Sequence, residues 1–169
     1  MGRLINYYAE RGRMLFRSHA ELYEVVRDFV VYENEARQIV GVCALEIIWA
    51  DLAEVRSLAV DAGQQGQGIG RGLVEAVVAE ARRLEIQRVF ALTYEGRFFE
   101  KLGFAVVDKA ALPLKVWSDC IKCPKRDGCD EIAMVRTLFA APAIPAEDPN
   151  QIPGLRYEVP VQLRIEKAP

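Results

Sequence analysis

The sequence predicts an α/β (α+β) protein with a central mixed β-sheet flanked by helices on both faces. Runs of branched and aromatic residues, typical of strands, alternate with segments whose apolar residues recur at helical spacing. A strand at 53–60, a long helix and a second strand at 88–93 follow one another as a β-α-β unit. The 169 residues, 51% hydrophobic and 27% charged, suit one globular domain.

In the first half of the chain, two helices precede three strands. Helices are expected at 4–14 and 19–28, and the second begins with a capping box in which Ser18 is the N-cap and Glu21 the third helical residue. Strands rich in valine, isoleucine and aromatic residues are expected at 28–33, 38–49 and 53–60, the first two as a hairpin.

The second half begins with a strongly amphipathic segment, a helix expected at 70–84 with Leu73, Val74 and Val77 on its inner face. A short helix at 97–102 is expected to end at Gly103, in the position that follows a helix C-terminus. The remaining strands are expected at 88–93, 104–107 and 132–137.

Four glycines, at positions 66, 68, 70 and 72, lie between the central strand and the long helix. The unpaired N–H groups and the dipole of a helix N-terminus favour an anion, which predicts a phosphate site. Gly70 is followed by Arg71 and not by Lys-Ser/Thr, which excludes a P-loop, and the spacing fails the dinucleotide fingerprint. The pattern that fits is [Arg/Gln]-x-x-Gly-x-Gly at 65–70; a glycine-rich turn without a ligand is the alternative.

This hexapeptide resembles the acetyl-coenzyme A pyrophosphate loop of the GNAT superfamily of N-acetyltransferases. Residues 98–104 resemble the closing Phe-Tyr-x-x-x-Gly-Phe motif of that superfamily, and residues 53–60 resemble its central strand. The resemblance covers residues 4–138 and implies the GNAT fold, with acetyl-coenzyme A as co-substrate and no required metal. It also implies the residues that bind the coenzyme: Leu58, Ala59, Val60, Gln65, Gly66, Gln67, Gly68, Ile69, Gly70 and Arg71.

Three stretches resemble, more specifically, the short bacterial N-acetylglutamate synthases: the central strand, Phe-Arg-Ser at 16–18 and Ala-Leu-Thr at 91–93. The reaction this implies is direct acetylation of the α-amine of glutamate, the first step of arginine biosynthesis. Other acceptors, such as glutamine or another small amine, remain open. So does a coenzyme-A-binding sensor without catalysis.

The expected chemistry requires a base that removes a proton from the acceptor ammonium. Glu54 on the central strand is the candidate base; the alternative is that Glu54 is a carboxylate exposed to water with no catalytic role. Strand periodicity places Glu54 on the same face as Arg56 and Leu58. We expect burial without a partner to favour its protonated form. A backbone N–H at 58–60 is the candidate oxyanion donor.

The general acid departs from the family pattern, because Phe99 occupies the position where many GNAT enzymes have a tyrosine. Tyr94 is the nearest replacement, and protonation of the thiolate by water is the alternative. The carboxylates of the acceptor call for arginines. Arg17 matches the substrate arginine of the family, Arg56 is the second candidate, and Arg71 is expected to serve the coenzyme phosphates.

Cys120, Cys123 and Cys129 form a Cys-x2-Cys-x5-Cys segment among turn-forming residues. Such loops can hold zinc, but Cys-x-x-Cys occurs only once, so free thiols or a reversible disulfide are favoured over a metal. Cys43, within an apolar strand, is expected to be a small core residue, and covalent transfer through it is disfavoured.

Composition limits the partners. A formal net charge of −2 gives no reason to expect nucleic acid, and neither a membrane-length apolar run nor a signal-peptide pattern is present. We therefore expect a cytoplasmic enzyme that acts on a small molecule, with a homodimer as a possible assembly.

The C-terminal region is expected to form a separate part of the chain. Residues 1–139 constitute the catalytic domain, 140–154 a Pro/Ala-rich linker, and 155–169 a segment with alternating Val161, Leu163 and Ile165. Family members usually begin with a strand that has no counterpart here, so the alternation predicts that this segment completes the sheet, within the chain or in a partner chain. A disordered or independent extension is the alternative.

Deleting residues 155–169 tests this prediction. We expect the shortened protein to unfold at a lower temperature or to become monomeric, because it loses a strand of its sheet. Thermal unfolding and size-exclusion chromatography measure the two effects; an unchanged melting temperature together with an unchanged size contradicts the prediction.

Overall fold

The protein is represented by a computed structural model that describes residues 1–113, 123, 125 and 128–139. The predicted linker and C-terminal segment, as well as Cys120, lie outside the described residues. In chain order the elements are α1 (Gly2–Ala9), α2 (His19–Glu24), β1 (Phe29–Glu33), β2 (Ile39–Trp49), β3 (Leu52–Val60), α3 (Ile69–Arg83), β4 (Arg88–Thr93), α4 (Gly96–Glu100), β5 (Ala105–Val107) and β6 (Ile132–Thr137).

The strands form one sheet in the order β1-β2-β3-β4-β6-β5, and the sheet is mixed, as the sequence predicts. Among the described strands, only β3 and β4 pair in parallel, and α3 connects them. Their pairing covers three residue pairs and ends at Glu54, whereas β4 pairs with β6 along its whole length. The two strands therefore diverge, and the edge of β3 at residues 55–60 is left without β4 as a partner.

Helices cover both faces of the sheet, also as predicted. The buried face of α3 packs against Ala53 and Val55 of β3. Ile5 of α1 packs with Val42 on the opposite face, while the adjacent Cys43 belongs to the α3 side. Neighbouring residues of one strand thus contribute to two separate cores, because side chains alternate along a strand. None of the described helices has both the length and the apolar composition needed to cross a bilayer.

The first helix is shorter than the predicted 4–14. Gly12 has φ +65°, the Gly12 N–H donates to the carbonyl of Ala9 at 2.9 Å, and the Arg13 N–H donates to the carbonyl of Tyr8 at 3.0 Å. This is a Schellman motif, which ends a helix at a left-handed glycine. The second helix likewise ends early, at Glu24, and a 3₁₀ turn at Val26–Asp28 follows it.

Two predicted helix-end signals are confirmed. The Ser18 N–H donates to Glu21 Oε2 at 2.8 Å, and the Glu21 N–H donates to Ser18 Oγ at 3.2 Å, which completes the capping box. Gly103 has φ +79° directly after the last turn of α4, where the Phe104 N–H donates to the carbonyl of Phe99 at 3.1 Å.

Gly41 of β2 provides a test of the packing between α3 and the sheet. A Cβ there would lie 2.8 Å from Ile69 Cγ2 and 2.9 Å from Leu73 Cδ1. We expect Gly41→Val to lower the free energy of unfolding by about 1–3 kcal/mol, because added methyl groups overpack a dense core. Chemical denaturation measures the change.

Gly72 is the matched control, since it is exposed on the same helix and a Cβ would meet no atom within 4 Å. Gly72→Ala should raise the free energy of unfolding by about 0.5–1 kcal/mol through helix propensity. An unchanged denaturation midpoint for Gly41→Val contradicts the close packing.

Candidate active site

A cleft of about 1810 Å³ lies where β3 and β4 diverge. Because ordinary small-molecule pockets enclose about 300–1,000 Å³, this cleft has room for a large ligand and a small one together. Of the site residues that the sequence predicts, Gln67 does not line the cleft. Those that do line it are Arg17, Glu54, Arg56, Leu58, Ala59, Val60, Gln65, Gly66, Gly68, Ile69, Gly70, Arg71 and Tyr94, together with Cys123 and Cys129 of the cysteine segment.

A β-bulge shapes the β3 wall of the cleft. Cys43 of β2 faces two residues of β3, Ser57 and Leu58, between regular pairs on either side. Ser57 has φ +52°, a left-handed conformation that costs a residue with a Cβ about 1–2 kcal/mol. Bulges of this kind redirect side chains next to functional sites.

The bulge corrects one prediction about β3. Glu54 and Arg56 share a face, as expected from strand periodicity, and their side chains lie 3.9 Å apart (Oε2 to Nη1). Leu58, however, packs against the α3 core, whereas Leu52 belongs to the core on the opposite side. One inserted residue reverses the alternation, so the prediction that Leu58 shares the face of Glu54 is wrong.

Glu54 is half-buried, with its side chain 14% exposed, and it has a charged neighbour. The Arg56 guanidinium lies beside Glu54 and also contacts the carboxylate of Glu46, the cross-strand partner of Glu54. The expectation that Glu54 lacks a partner is therefore wrong. The Arg56 cation thus lies between the carboxylates of Glu54 and Glu46.

Arg17 lies in the loop between α1 and α2, and its backbone is held in place. The Asn6 side-chain amide donates to the carbonyl of Arg17 at 2.9 Å, and the Arg17 N–H donates to Asn6 Oδ1 at 3.0 Å. These two hydrogen bonds, one donated and one accepted by the Asn6 side chain, fix the backbone of the loop where Arg17 lines the cleft.

The glycine loop is open where a phosphate is expected. Gly66 and Gly68 have φ +78° and +84°, and a Cβ at either would meet nothing within 4 Å. Gln65 is directed elsewhere, because its side-chain amide donates to the Tyr8 hydroxyl at 2.8 Å. That hydroxyl in turn donates to the carbonyl of Val60, so Tyr8 joins α1, the end of β3 and the loop. Burial raises the pKa of Tyr8 and keeps the phenol protonated.

Tyr94 directly follows the last residue of β4, on the opposite wall. Lys125 Nζ donates to its hydroxyl at 3.3 Å and to the carbonyl of Gly12 at 3.0 Å. The Arg13 guanidinium lies 5.7 Å from the centre of the Tyr94 ring and forms an ion pair with Glu95. Burial raises the pKa of Tyr94, and the hydrogen bond from Lys125 opposes part of that rise.

Phe99, at the position of the missing tyrosine, is a core residue. Its ring is buried and packs edge-to-face against Phe98 and Phe104, with ring centres 5.2 Å and 5.1 Å away. The arrangement stabilises the end of α4 and supplies no proton donor there.

The cysteines divide into two groups. Cys43 is fully buried, and burial raises the pKa of its thiol to about 12, so it is not a nucleophile at neutral pH. Cys129 Sγ lies 3.6 Å from Lys109 Nζ and 3.8 Å from Glu131 Oε2. Cys123 and Cys129 are free thiols, and the described residues contain no group of three potential metal ligands. The zinc alternative depends on Cys120 and stays a prediction.

The cleft carries more positive than negative side chains, although the whole chain has a net charge of −2. Among the described lining residues, seven are arginine or lysine and five are glutamate. Those cations are Arg11, Arg13, Arg17, Arg56, Arg71, Lys109 and Lys125. Such a concentration of cations favours anionic ligands.

Sequence reasoning missed several polar residues of the cleft, among them Tyr8, Lys109, Lys125 and Glu131. Burial raises the pKa of Glu131, and the nearby Lys109 opposes that rise. Lys125 lies inside the cysteine-rich segment, so its charge next to those cysteines was the available signal. The other three carry no local pattern that separates them from ordinary surface residues.

The glycine conformation allows a direct test of coenzyme A binding. Gly68→Ala forces a Cβ into a left-handed position at the start of α3, which costs about 1–2 kcal/mol. We expect the Kd for coenzyme A to rise about tenfold as the loop shifts. Calorimetric titration measures it. Gly72→Ala, outside the cleft, should change the Kd less than twofold; equal effects of the two variants contradict the role of the loop.

Comparisons with known proteins identify the family of the chain. The family model for the acetyltransferase (GNAT) domain matches residues 26–106. An uncharacterized N-acetyltransferase of Chlorobaculum tepidum is 43% identical over 138 residues, which make up 82% of this chain and 88% of that protein. An amino-acid acetyltransferase of Mycobacterium tuberculosis is 37% identical over 119 residues, or 69% of this chain and 67% of that protein.

Solved structures of other proteins have the same fold as this chain. The N-acetylglutamate synthase of Neisseria gonorrhoeae, complexed with coenzyme A and N-acetyl-glutamate, has a TM-score of 0.73 and 29% identity. The match covers 82% of this chain but 32% of that one. A Mycobacterium tuberculosis protein in complex with CoA matches with a TM-score of 0.68 and 28% identity over 94% of its length. The chain belongs to the GNAT family and is an N-acetyltransferase that uses acetyl-coenzyme A.

Proposed function

We propose that this enzyme transfers the acetyl group of acetyl-coenzyme A directly to the α-amine of glutamate, the first step of arginine biosynthesis. The observation that carries the proposal is the meeting of Glu54 and Arg17 on the cleft formed by the open edge of β3. Two relatives support it by name, an amino-acid acetyltransferase and an N-acetylglutamate synthase.

The coenzyme has a natural place in this cleft. The edge of β3 at 58–60, which β4 does not pair with, suits the amides of the pantetheine arm, because both present hydrogen-bonding groups along an extended chain. The N-terminus of α3 and the glycine loop suit the pyrophosphate, and Arg71 adds a positive charge next to them.

Glu54 takes the role of general base. The acceptor arrives as an ammonium, and Glu54 accepts its proton directly or through one water. The neutral nitrogen then attacks the thioester carbonyl carbon, a C–N bond forms, and the oxyanion is stabilised by a backbone N–H of 58–60. Collapse of the intermediate breaks the C–S bond, and the coenzyme A thiolate leaves with the bonding electron pair. The nitrogen, which carries a positive charge after the attack, loses its second proton to water and becomes the amide.

Tyr94 is the proposed donor of the proton that the thiolate takes up. Since Lys125 donates to the phenol oxygen, the hydroxyl hydrogen of Tyr94 is available to another acceptor. The raised pKa keeps that hydrogen in place at neutral pH. Protonation by water is the competing route.

Direct transfer fits the cysteines better than a covalent route. The thiol of Cys43 is buried and has a pKa of about 12, so an acetyl-cysteine intermediate on it is disfavoured. When the concentrations of both substrates are varied, direct transfer gives double-reciprocal plots of the initial rate that intersect, whereas a covalent intermediate gives parallel lines.

Replacing the proposed base tests the mechanism. We expect Glu54→Gln to lower kcat at neutral pH by about 100-fold, the usual contribution of a general base, with the affinity for coenzyme A unchanged within about twofold. The deficit should shrink as pH rises, because more of the amine is then neutral without help. Stopped assays of thiol release across the pH range measure it.

Glu33→Gln is the matched control, because Glu33 is an exposed carboxylate on β1 and does not line the cleft. Its kcat should equal that of the wild type. A Glu54→Gln enzyme with wild-type kcat at neutral pH removes Glu54 from the mechanism.

The acceptor is tested with a panel of amino acids. Release of the coenzyme A thiol that depends on glutamate, with N-acetylglutamate as product, supports the proposal. A higher kcat/KM with glutamine or another amine shows that the acceptor assignment is wrong while the acetyltransferase activity stands.

A further inference from the structure

We propose that Lys125 binds the side-chain carboxylate of the acceptor and so selects an acidic amino acid over its neutral amide. The inference rests on the proposed function and adds a specificity residue to it. Neither strand periodicity nor the motifs of the sequence singles out this lysine.

The position of Lys125 is the first argument. It lies between β5 and β6 in the chain, but its Nζ bonds to the carbonyl of Gly12 in the α1–α2 loop and to the hydroxyl of Tyr94 after β4. It therefore bridges two segments that line the cleft, on the side opposite β3. The same loop carries Arg17, so a molecule between the two walls meets cations from two directions.

The charge of Lys125 is the second argument. Both of its hydrogen-bond partners are neutral oxygens, and no carboxylate among the described residues forms an ion pair with it. Arg13 and Arg56, in contrast, are paired with Glu95 and Glu46. An ammonium has three donors, which leaves one N–H for a further acceptor. The hydrogen bond to Tyr94 raises the pKa of Lys125, so the charge persists at neutral pH.

The chemistry of a dicarboxylate completes the argument. Its two carboxylates need two cations separated by the length of the side chain, and a cation close to each gives the tightest charge complementarity. Arg17 offers a planar fork for one carboxylate, and Lys125 offers a compact point charge for the other. A neutral amide in place of the second carboxylate loses the charge interaction with Lys125.

The test compares glutamate with glutamine as acceptor, in the wild type and in Lys125→Gln. We expect Lys125→Gln to lower kcat/KM for glutamate about 10- to 100-fold, mainly through KM, as for the loss of a charged hydrogen bond. The value for glutamine should change less than about threefold, so the preference for glutamate falls about tenfold or more. Lys125→Arg keeps the charge and should retain most of the preference.

Two further variants distinguish selection of the acceptor by Lys125 from a general effect on catalysis or on the protein surface. Tyr94→Phe removes the phenol that Lys125 touches and should lower kcat equally for both acceptors, with the preference unchanged. Lys101→Gln, exposed and outside the cleft, should leave all constants at their wild-type values. Because the Lys125 side chain is exposed, thermal unfolding should be the same for every Lys125 variant.

Failure of the role of Lys125 and failure of the proposed function give different results. An equal loss with both acceptors, or no loss with either, in an enzyme whose wild type acetylates glutamate overturns the role of Lys125 and leaves the proposed function intact. A wild type that does not acetylate glutamate overturns the proposed function, and this inference with it.

Discussion

The short parallel pairing of β3 with β4 is the constraint on which the active site depends. Three residue pairs hold the strands together up to Glu54, and from there β4 follows β6 instead. Backbone groups that lose a strand partner need another one, since an unpaired buried group costs about 1–3 kcal/mol. The divergence therefore creates both the space for acetyl-coenzyme A and a row of groups that can bind it.

Several features of the fold keep that opening in place. The capped loop between α1 and α2 and the hydrogen bonds of Tyr8 hold the end of β3 against the glycine loop. On the other wall, Lys125 and the ion pair between Arg13 and Glu95 tie the same loop to the end of β4. The opening is thus bounded by contacts that are remote in sequence, and its cations give it a charge opposite to that of the whole chain.

Local sequence patterns account for most of the fold. The spacing of apolar residues predicts α3 to within one residue at each end, because that helix buries one continuous face. Gly103 predicts the end of α4 through its left-handed conformation. The end of α1 was predicted too late, although Gly12 marks it, because the residues around it also suit a helix.

The site was less predictable, for two physical reasons. Strand periodicity assumes an unbroken alternation, and the bulge at Ser57 breaks it, so the direction of Leu58 could not be derived. Ion pairs and hydrogen bonds between distant segments have no local signal. The contact of Arg56 with Glu46 and the bond of Lys125 to Tyr94 are of this kind.

Amide hydrogen exchange with and without coenzyme A tests the central claim most directly. If the open edge of β3 and the glycine loop form the coenzyme site, the amides at 55–60 and 66–71 exchange more slowly in the complex, while those of β1 do not change. Slower exchange confined to the loop, with the β3 amides unaffected, contradicts the account, because the divergence of the two strands would then have no part in binding.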